Sequence, residues 1–66
     1  EYSQSDLRRY GSLSIEQQAE IIENYVYMRM DLGPQNINFY CDDIHHYEAG
    51  IKPYFPDIET PELCLE

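Results

Sequence analysis

Sixty-six residues make one small domain at most, of a size that often needs a metal, a disulfide or a partner to hold its fold. Thirteen acidic against four basic side chains give a net charge of −9, which repels nucleic-acid phosphates and anionic lipid and excludes nucleic acid as a direct partner. Apolar residues at 42% and seven tyrosines are too much packing material for a disordered acidic tail, and no apolar run of about 18 residues is present to span a membrane, nor a charged-then-apolar leader.

The chain opens on Glu1 rather than Met, so a processed product or one part of a longer protein is expected. Residues 1–13 are polar with Tyr2, Leu7 and Tyr10 as isolated apolar anchors. They read as a docking lead-in with one turn of helix, broken at Gly11 and Ser12. Ser14-x-x-Gln17 then fits a capping box, in which the serine oxygen accepts a backbone N–H at the helix start and the glutamine reaches back. A helix is predicted over residues 15–32, stopped by Gly33 in a left-handed conformation and by Pro34.

On a wheel of about 100° per residue, Ile15, Ala19, Ile22, Val26 and Met30 form one apolar row, and Ile21, Tyr25, Met28 and Leu32 a second beside it. The remaining strip, Glu16, Glu20, Glu23, Tyr27 and Asp31, spans roughly 80° of arc. Apolar over more than half its circumference, this helix asks for more neighbours than 66 residues supply, and a partner segment is expected.

Residues 33–41 read as a loop with Ile37, Phe39 and Tyr40 turned inward. A second helix is predicted over about residues 43–52, capped by Asp42 or Asp43, with Ile44, Tyr47 and Ile51 as its apolar stripe and Pro53 and Pro56 beyond its end. Residues 57–66 carry four carboxylate side chains and are expected on the surface, extended or in one short turn. The fold class is therefore all-α: one long and one shorter helix between an extended lead-in and tail.

Cys41 and Cys64 are too few and too far apart for a zinc knuckle or a redox Cys-x-x-Cys pair. Two half-buried thiols are the favoured reading; pairing them would close a loop worth roughly 3 kcal/mol and imply an oxidising destination. His45 and His46 sit beside Asp42, Asp43 and Glu48, but neighbouring side chains on a helix point about 100° apart and do not converge on one ion. Surface or capping roles are favoured for both. The twelve-residue calcium loop, the Gly-rich phosphate loop and the nucleophile elbow have no counterpart. Tyr25, Tyr27, Tyr40, Tyr47 and Tyr54 read as core and interface filler. Gln18 falls inside the apolar arc and needs hydrogen-bond partners if it is buried.

Glu16 and Glu20, at i and i+4 near a helix start, read most simply as a solvated face. A sharper reading makes the first a metal ligand and the second the group that orients a ligating histidine through its free N–H. The stretch Leu13-Ser14-Ile15-Glu16-Gln17-Gln18-Ala19-Glu20-Ile21-Ile22-Glu23-Asn24-Tyr25 favours it, because it resembles a segment of bacterial zinc metallopeptidase-like domains. There, a Glu-Gln-Gln-Ala-x-Ile-Val-x-Asp-Tyr motif follows an upstream His-Glu-x-x-His helix. Tyr47-Glu48-Ala49-Gly50-Ile51-Lys52-Pro53-Tyr54 is similar to the same family's closing Tyr-Glu-x-x-Leu-x-Pro-Phe. Residues 31–43 and the tail after Phe55 have no counterpart in it.

Such domains occur as C-terminal extensions of VgrG-type spike proteins and as toxin-like effectors of contractile, type VI secretion systems. The resemblance implies a portion of a zincin-like domain in which two upstream histidines and Glu16 hold zinc, with Glu20 in support. The glutamate between those histidines would activate a zinc-bound water against a peptide carbonyl. Neither those histidines nor that base is in these 66 residues, so the isolated chain is expected to be inactive. The implied partners are the upstream segment, a peptide or protein substrate and an immunity protein, and the implied destination is secreted or translocated. The competing expectation is a small acidic interaction module, an immunity, inhibitor or adaptor protein that docks by its apolar helix face.

Overall fold

Ser14 sets the start of the longest element as the sequence predicts: its Oγ accepts the Gln17 backbone N–H at 3.2 Å and Gln17 Oε1 accepts the Ser14 N–H at 3.4 Å. The computed structural model describes residues 4–65, so the expected anchor Tyr2 lies outside the described residues. Among the described residues three α-helices follow one another: α1 (Gln4–Leu7), α2 (Ile15–Asp31) and α3 (Ile37–Ile51). Short 3-10 turns lie at Tyr10–Ser12, Pro34–Asn36 and Glu62–Cys64. The fold is all-α, with no strand among the described residues, and none of the described helices is long and apolar enough to cross a membrane.

The stop of α2 differs from the expected one. Gly33 has φ −154°, extended backbone open to any residue rather than a left-handed cap. The helix ends because Leu32 has already turned extended, with ψ 133°, and because Pro34 bars the residue before it from helical geometry. Asn36 completes the junction: its Nδ2 donates to the Asp31 carbonyl at 2.9 Å and its Oδ1 accepts the Gly33 N–H at 2.7 Å. These bonds satisfy backbone groups that a helix end otherwise leaves open.

The second helix begins at Ile37 rather than near Asp43. Pro34 opens a 3-10 turn that runs straight into α3, so most of the expected loop is helical and Asp42 and Asp43 lie exposed in mid-helix instead of capping it. The apolar spacing reaches back accordingly, with Ile37, Tyr40 and Cys41 at least half-buried, whereas Phe39 is 73% exposed and not turned inward. Lys52 N–H still bonds the Glu48 carbonyl at 2.9 Å before Pro53 ends the run.

The core lies where α1, α2 and α3 meet. Ile21, Ile44 and Ile51 are completely buried, ringed by Leu7, Tyr10, Tyr25, Met28 and Cys64. Leu7 and Tyr10 thus act as the anchors expected of the lead-in, Tyr10 through ring contacts with Tyr54 (5.2 Å) and Phe55 (6.2 Å). Gln18 finds its partners in the same place: its Nε2 donates to the carbonyls of Tyr10 (2.9 Å) and Leu13 (3.3 Å), tying the lead-in to α2. Gly50 allows α1 and α3 to touch, because a Cβ there would collide with the Leu7 carbonyl oxygen and stand 2.9 Å from its carbon.

Cys41 and Cys64 are disulfide-bonded, against the reading of free thiols, with Cα atoms 5.4 Å apart. The bridge was illegible because pairing depends on the path of the tail. That tail returns along α3, burying Cys64 and half-burying Ile58 instead of lying wholly on the surface.

Two substitutions test this packing. Gly50→Ala gains about 0.5–1 kcal/mol of helix propensity but forces backbone apart at a packed contact, which costs about 1–3 kcal/mol; a net loss of denaturation midpoint is expected, and a gain would show that α1 does not sit on α3. The Cys41→Ser/Cys64→Ser double variant is expected to lose roughly 3 kcal/mol in urea denaturation through release of the loop constraint.

Candidate functional site

Helix α2 uses its two apolar rows differently. The row Ile21, Tyr25 and Met28 is buried and Leu32 packs beside it, while the other row is left largely open: Ile15 is 83%, Val26 45% and Met30 81% exposed, with Ala19 also exposed. Ile22 alone in that row is packed against the core. Glu16, Glu23 and Tyr27, all exposed, run along the border of the open row, and Glu20 behind them is half-buried. The open strip extends over about 22 Å from Ile15 to Met30 at 1.5 Å per residue.

Towards the C-terminal end of α2 the strip deepens into a groove of about 530 Å³, lined by Tyr25, Val26, Arg29 and Met30 on the helix and by Asp57, Ile58 and Glu59 on the returning tail. Behind it lies a polar cluster. Glu48, 6% exposed, accepts the Tyr25 hydroxyl on Oε2 and the Thr60 hydroxyl on Oε1, each at 2.6 Å. Arg29 Nη1 stands 3.5 Å from Glu48 Oε2, donates to the Tyr25 hydroxyl oxygen at 2.8 Å and holds the Glu59 carbonyl at 2.6 Å. Its guanidinium carbon lies 5.5 Å from the centre of the Tyr25 ring, within cation–π range.

The wheel of α3 carries a signal for this cluster. Glu48 lies between Ile44 and Ile51 at helical spacing, a carboxylate inside an apolar stripe, and such a group must be paired.

The residues singled out from the sequence do not gather at one point. No group of three or more His, Cys, Asp or Glu side chains able to hold a metal ion occurs among the described residues, so these side chains do not make a zinc site by themselves. His45 Nε2 lies 3.2 Å from the Cys64 carbonyl and His46 Nδ1 2.8 Å from the Asp42 carbonyl. The two rings thus address different groups, as their spacing on a helix requires. Tyr25 and Tyr47 are stacked 6.5 Å apart, whereas Tyr27 and Tyr54 are 63% and 54% exposed. Tyr40 donates to Asp31 Oδ2 at 2.6 Å. No protein-family model, curated protein or solved structure matches the chain.

Burial first, and then donation to Glu48, push the Tyr25 hydroxyl up to about 12; the bond to Asp31, and then burial, do the same for Tyr40. A tyrosine whose folded pKa lies above its unfolded value of about 10 contributes stability that is complete below that value and is lost as pH rises towards the folded one. Stability is therefore expected to fall between about pH 10 and pH 12. Tyr25→Phe removes part of that dependence and costs about 1–3 kcal/mol at neutral pH by taking a donor from a buried carboxylate. Urea denaturation of both proteins at pH 7.5 and across the alkaline range checks this; parallel pH profiles would remove Tyr25 as a contributor.

Proposed function

We propose that the chain is the C-terminal portion of a zinc-dependent metallopeptidase-like secreted effector, and that α2 provides the surface on which an upstream His-Glu-x-x-His segment is seated. Glu16 supplies the third zinc ligand and Glu20 steadies a ligating imidazole. The observation that supports this reading is the open row Ile15, Ala19, Val26 and Met30 with exposed Glu16 on its border. A carboxylate in that position is available to an element packed along the strip, and an element packed there covers apolar surface that this chain leaves uncovered. When bound, zinc would supply a polarised carbonyl and an activated water. These residues contribute one ligand and the docking face, while the remaining ligands and the general base come from the upstream segment.

The test joins the chain to the sequence encoded directly upstream of it and measures zinc content and affinity. Losing an outer-shell group typically costs about 10–100-fold in metal affinity, so Glu16→Ala is expected to exceed about 100-fold and Glu20→Gln to stay within the range for supporting groups. Helical circular dichroism should be unchanged in both. Zinc bound as tightly by the Glu16→Ala protein removes this residue from the site.

A second reading, a small acidic interaction module of the immunity, inhibitor or adaptor kind, is favoured by a different observation. The described residues close a core of their own around Ile21, Ile44 and Ile51 and lock it with the Cys41–Cys64 bridge. Metal analysis of the joined protein separates the two readings, because the module needs the open face of α2 but no metal.

A further inference from the structure

The strip and groove on α2 have a charge pattern as well as an apolar floor. Glu16, Glu20, Glu23 and Asp31 lie along α2, and Asp57 and Glu59 stand on the tail wall of the groove. Two cations lie nearby, and both are engaged within the chain: Arg29 with Tyr25, Glu48 and the Glu59 carbonyl, and Lys52 with the Ile58 carbonyl at 3.3 Å. Arg29 lines the groove and is ion-paired at 3.5 Å with the buried carboxylate of Glu48. A third cation, Arg9, is paired with Asp6 on the lead-in. The open face is thus an apolar line about 22 Å long, which matches some four helical turns, bordered by carboxylates in a chain of net charge −9.

From these observations we infer that the occupant of this face is an amphipathic helix with a basic rim. Its apolar residues, at spacings of three and four, lie on Ile15, Ala19, Val26 and Met30, one of them enters the groove against Ile58, and flanking Lys or Arg side chains face Glu16, Glu23, Asp57 and Glu59. A helix meets the shape of the strip better than a compact ligand does, because the floor is elongated and continuous with the groove. A basic rim meets the charge, since an acidic or neutral helix would leave these carboxylates facing like charge or nothing. The inference rests on the docking role of α2 proposed above, and gives that partner its chemistry without using the zinc ligand.

The test titrates the 66-residue chain, disulfide intact, into fluorescein-labelled synthetic helices and reads anisotropy. One peptide carries leucines at spacings of three and four with flanking lysines, a second has glutamates in place of the lysines, and a third keeps the lysines but scrambles the leucines. The first is expected to bind at least about tenfold more tightly than either control at low salt, with the preference over the acidic peptide shrinking near 0.5 M salt, where charges are screened beyond roughly 4 Å. Val26→Lys and Met30→Lys, both at exposed positions, should each weaken it by about tenfold with unchanged circular dichroism. Equal affinity for the lysine and glutamate peptides, equal affinity for the scrambled one, indifference to both substitutions or absence of binding would each overturn the inference. Zinc retention by the joined protein and its loss in Glu16→Ala report on the function proposed above regardless of these outcomes.

Discussion

The buried carboxylate of Glu48 is the group on which the arrangement depends. A charged side chain at 6% exposure carries a desolvation penalty of several kcal/mol unless its oxygens are engaged. Here one oxygen takes the Tyr25 hydroxyl and the other the Thr60 hydroxyl, with Arg29 close by. These partners come from α2 and from the tail, while Glu48 itself is on α3. One carboxylate therefore joins three segments that share little sequence-local structure. The disulfide has a related effect further along: with Cys64 fixed to α3, the tail is held to a path on which Thr60 can meet Glu48 and Asp57, Ile58 and Glu59 can form a wall. The groove beside α2 is a consequence of that path rather than a property of α2 alone.

Helix α2 faces two environments. Its inner row is spent on the core with α1 and α3, and its outer row meets solvent. Burying a large aliphatic side chain is worth about 1.5–3 kcal/mol, so covering Ile15, Val26 and Met30, of which Val26 is already half-covered, would release on the order of 3–6 kcal/mol. Apolar residues scattered singly on a surface need no explanation, but a helical row of them is a different pattern. The carboxylates on its border keep the open face hydrated and restrain association between copies of a chain with net charge −9. A partner of opposite charge gains from both features together.

How much of this was legible depended on whether the determining contacts were local. The start of α2 was, because Ser14 and Gln17 are one turn apart and complete each other; its end was, because Pro34 keeps the residue before it out of helical geometry whatever surrounds it. The start of α3 was not. Asp42 and Asp43 have the chemistry of caps, and only the continuation of the Ile44 spacing back through Cys41, Tyr40 and Ile37 shows that the helix is already well under way at that point. The Cys41–Cys64 pairing rests on 23 residues of intervening path that no short-range rule fixes. The choice of row on α2 was likewise open: both rows are equally apolar, and which one is covered is decided by where Leu7, Ile44 and Ile51 stand. Glu48 was the missed signal, since an ionisable residue within an apolar stripe announces a buried partner before the partner can be named.

The two glutamates that matter most are thus opposites. Glu48 is buried and engaged on both oxygens, by the Tyr25 and Thr60 hydroxyls, with the Arg29 guanidinium 3.5 Å away, and its work is to hold segments together. Glu16, in the first turn of α2, is exposed at the edge of the uncovered row, and its carboxylate remains available to an incoming group. The contacts that hold the fold are concentrated on one side of α2 and exposed apolar and acidic surface on the other, so a substitution on the open side does not enter the network that keeps the fold closed.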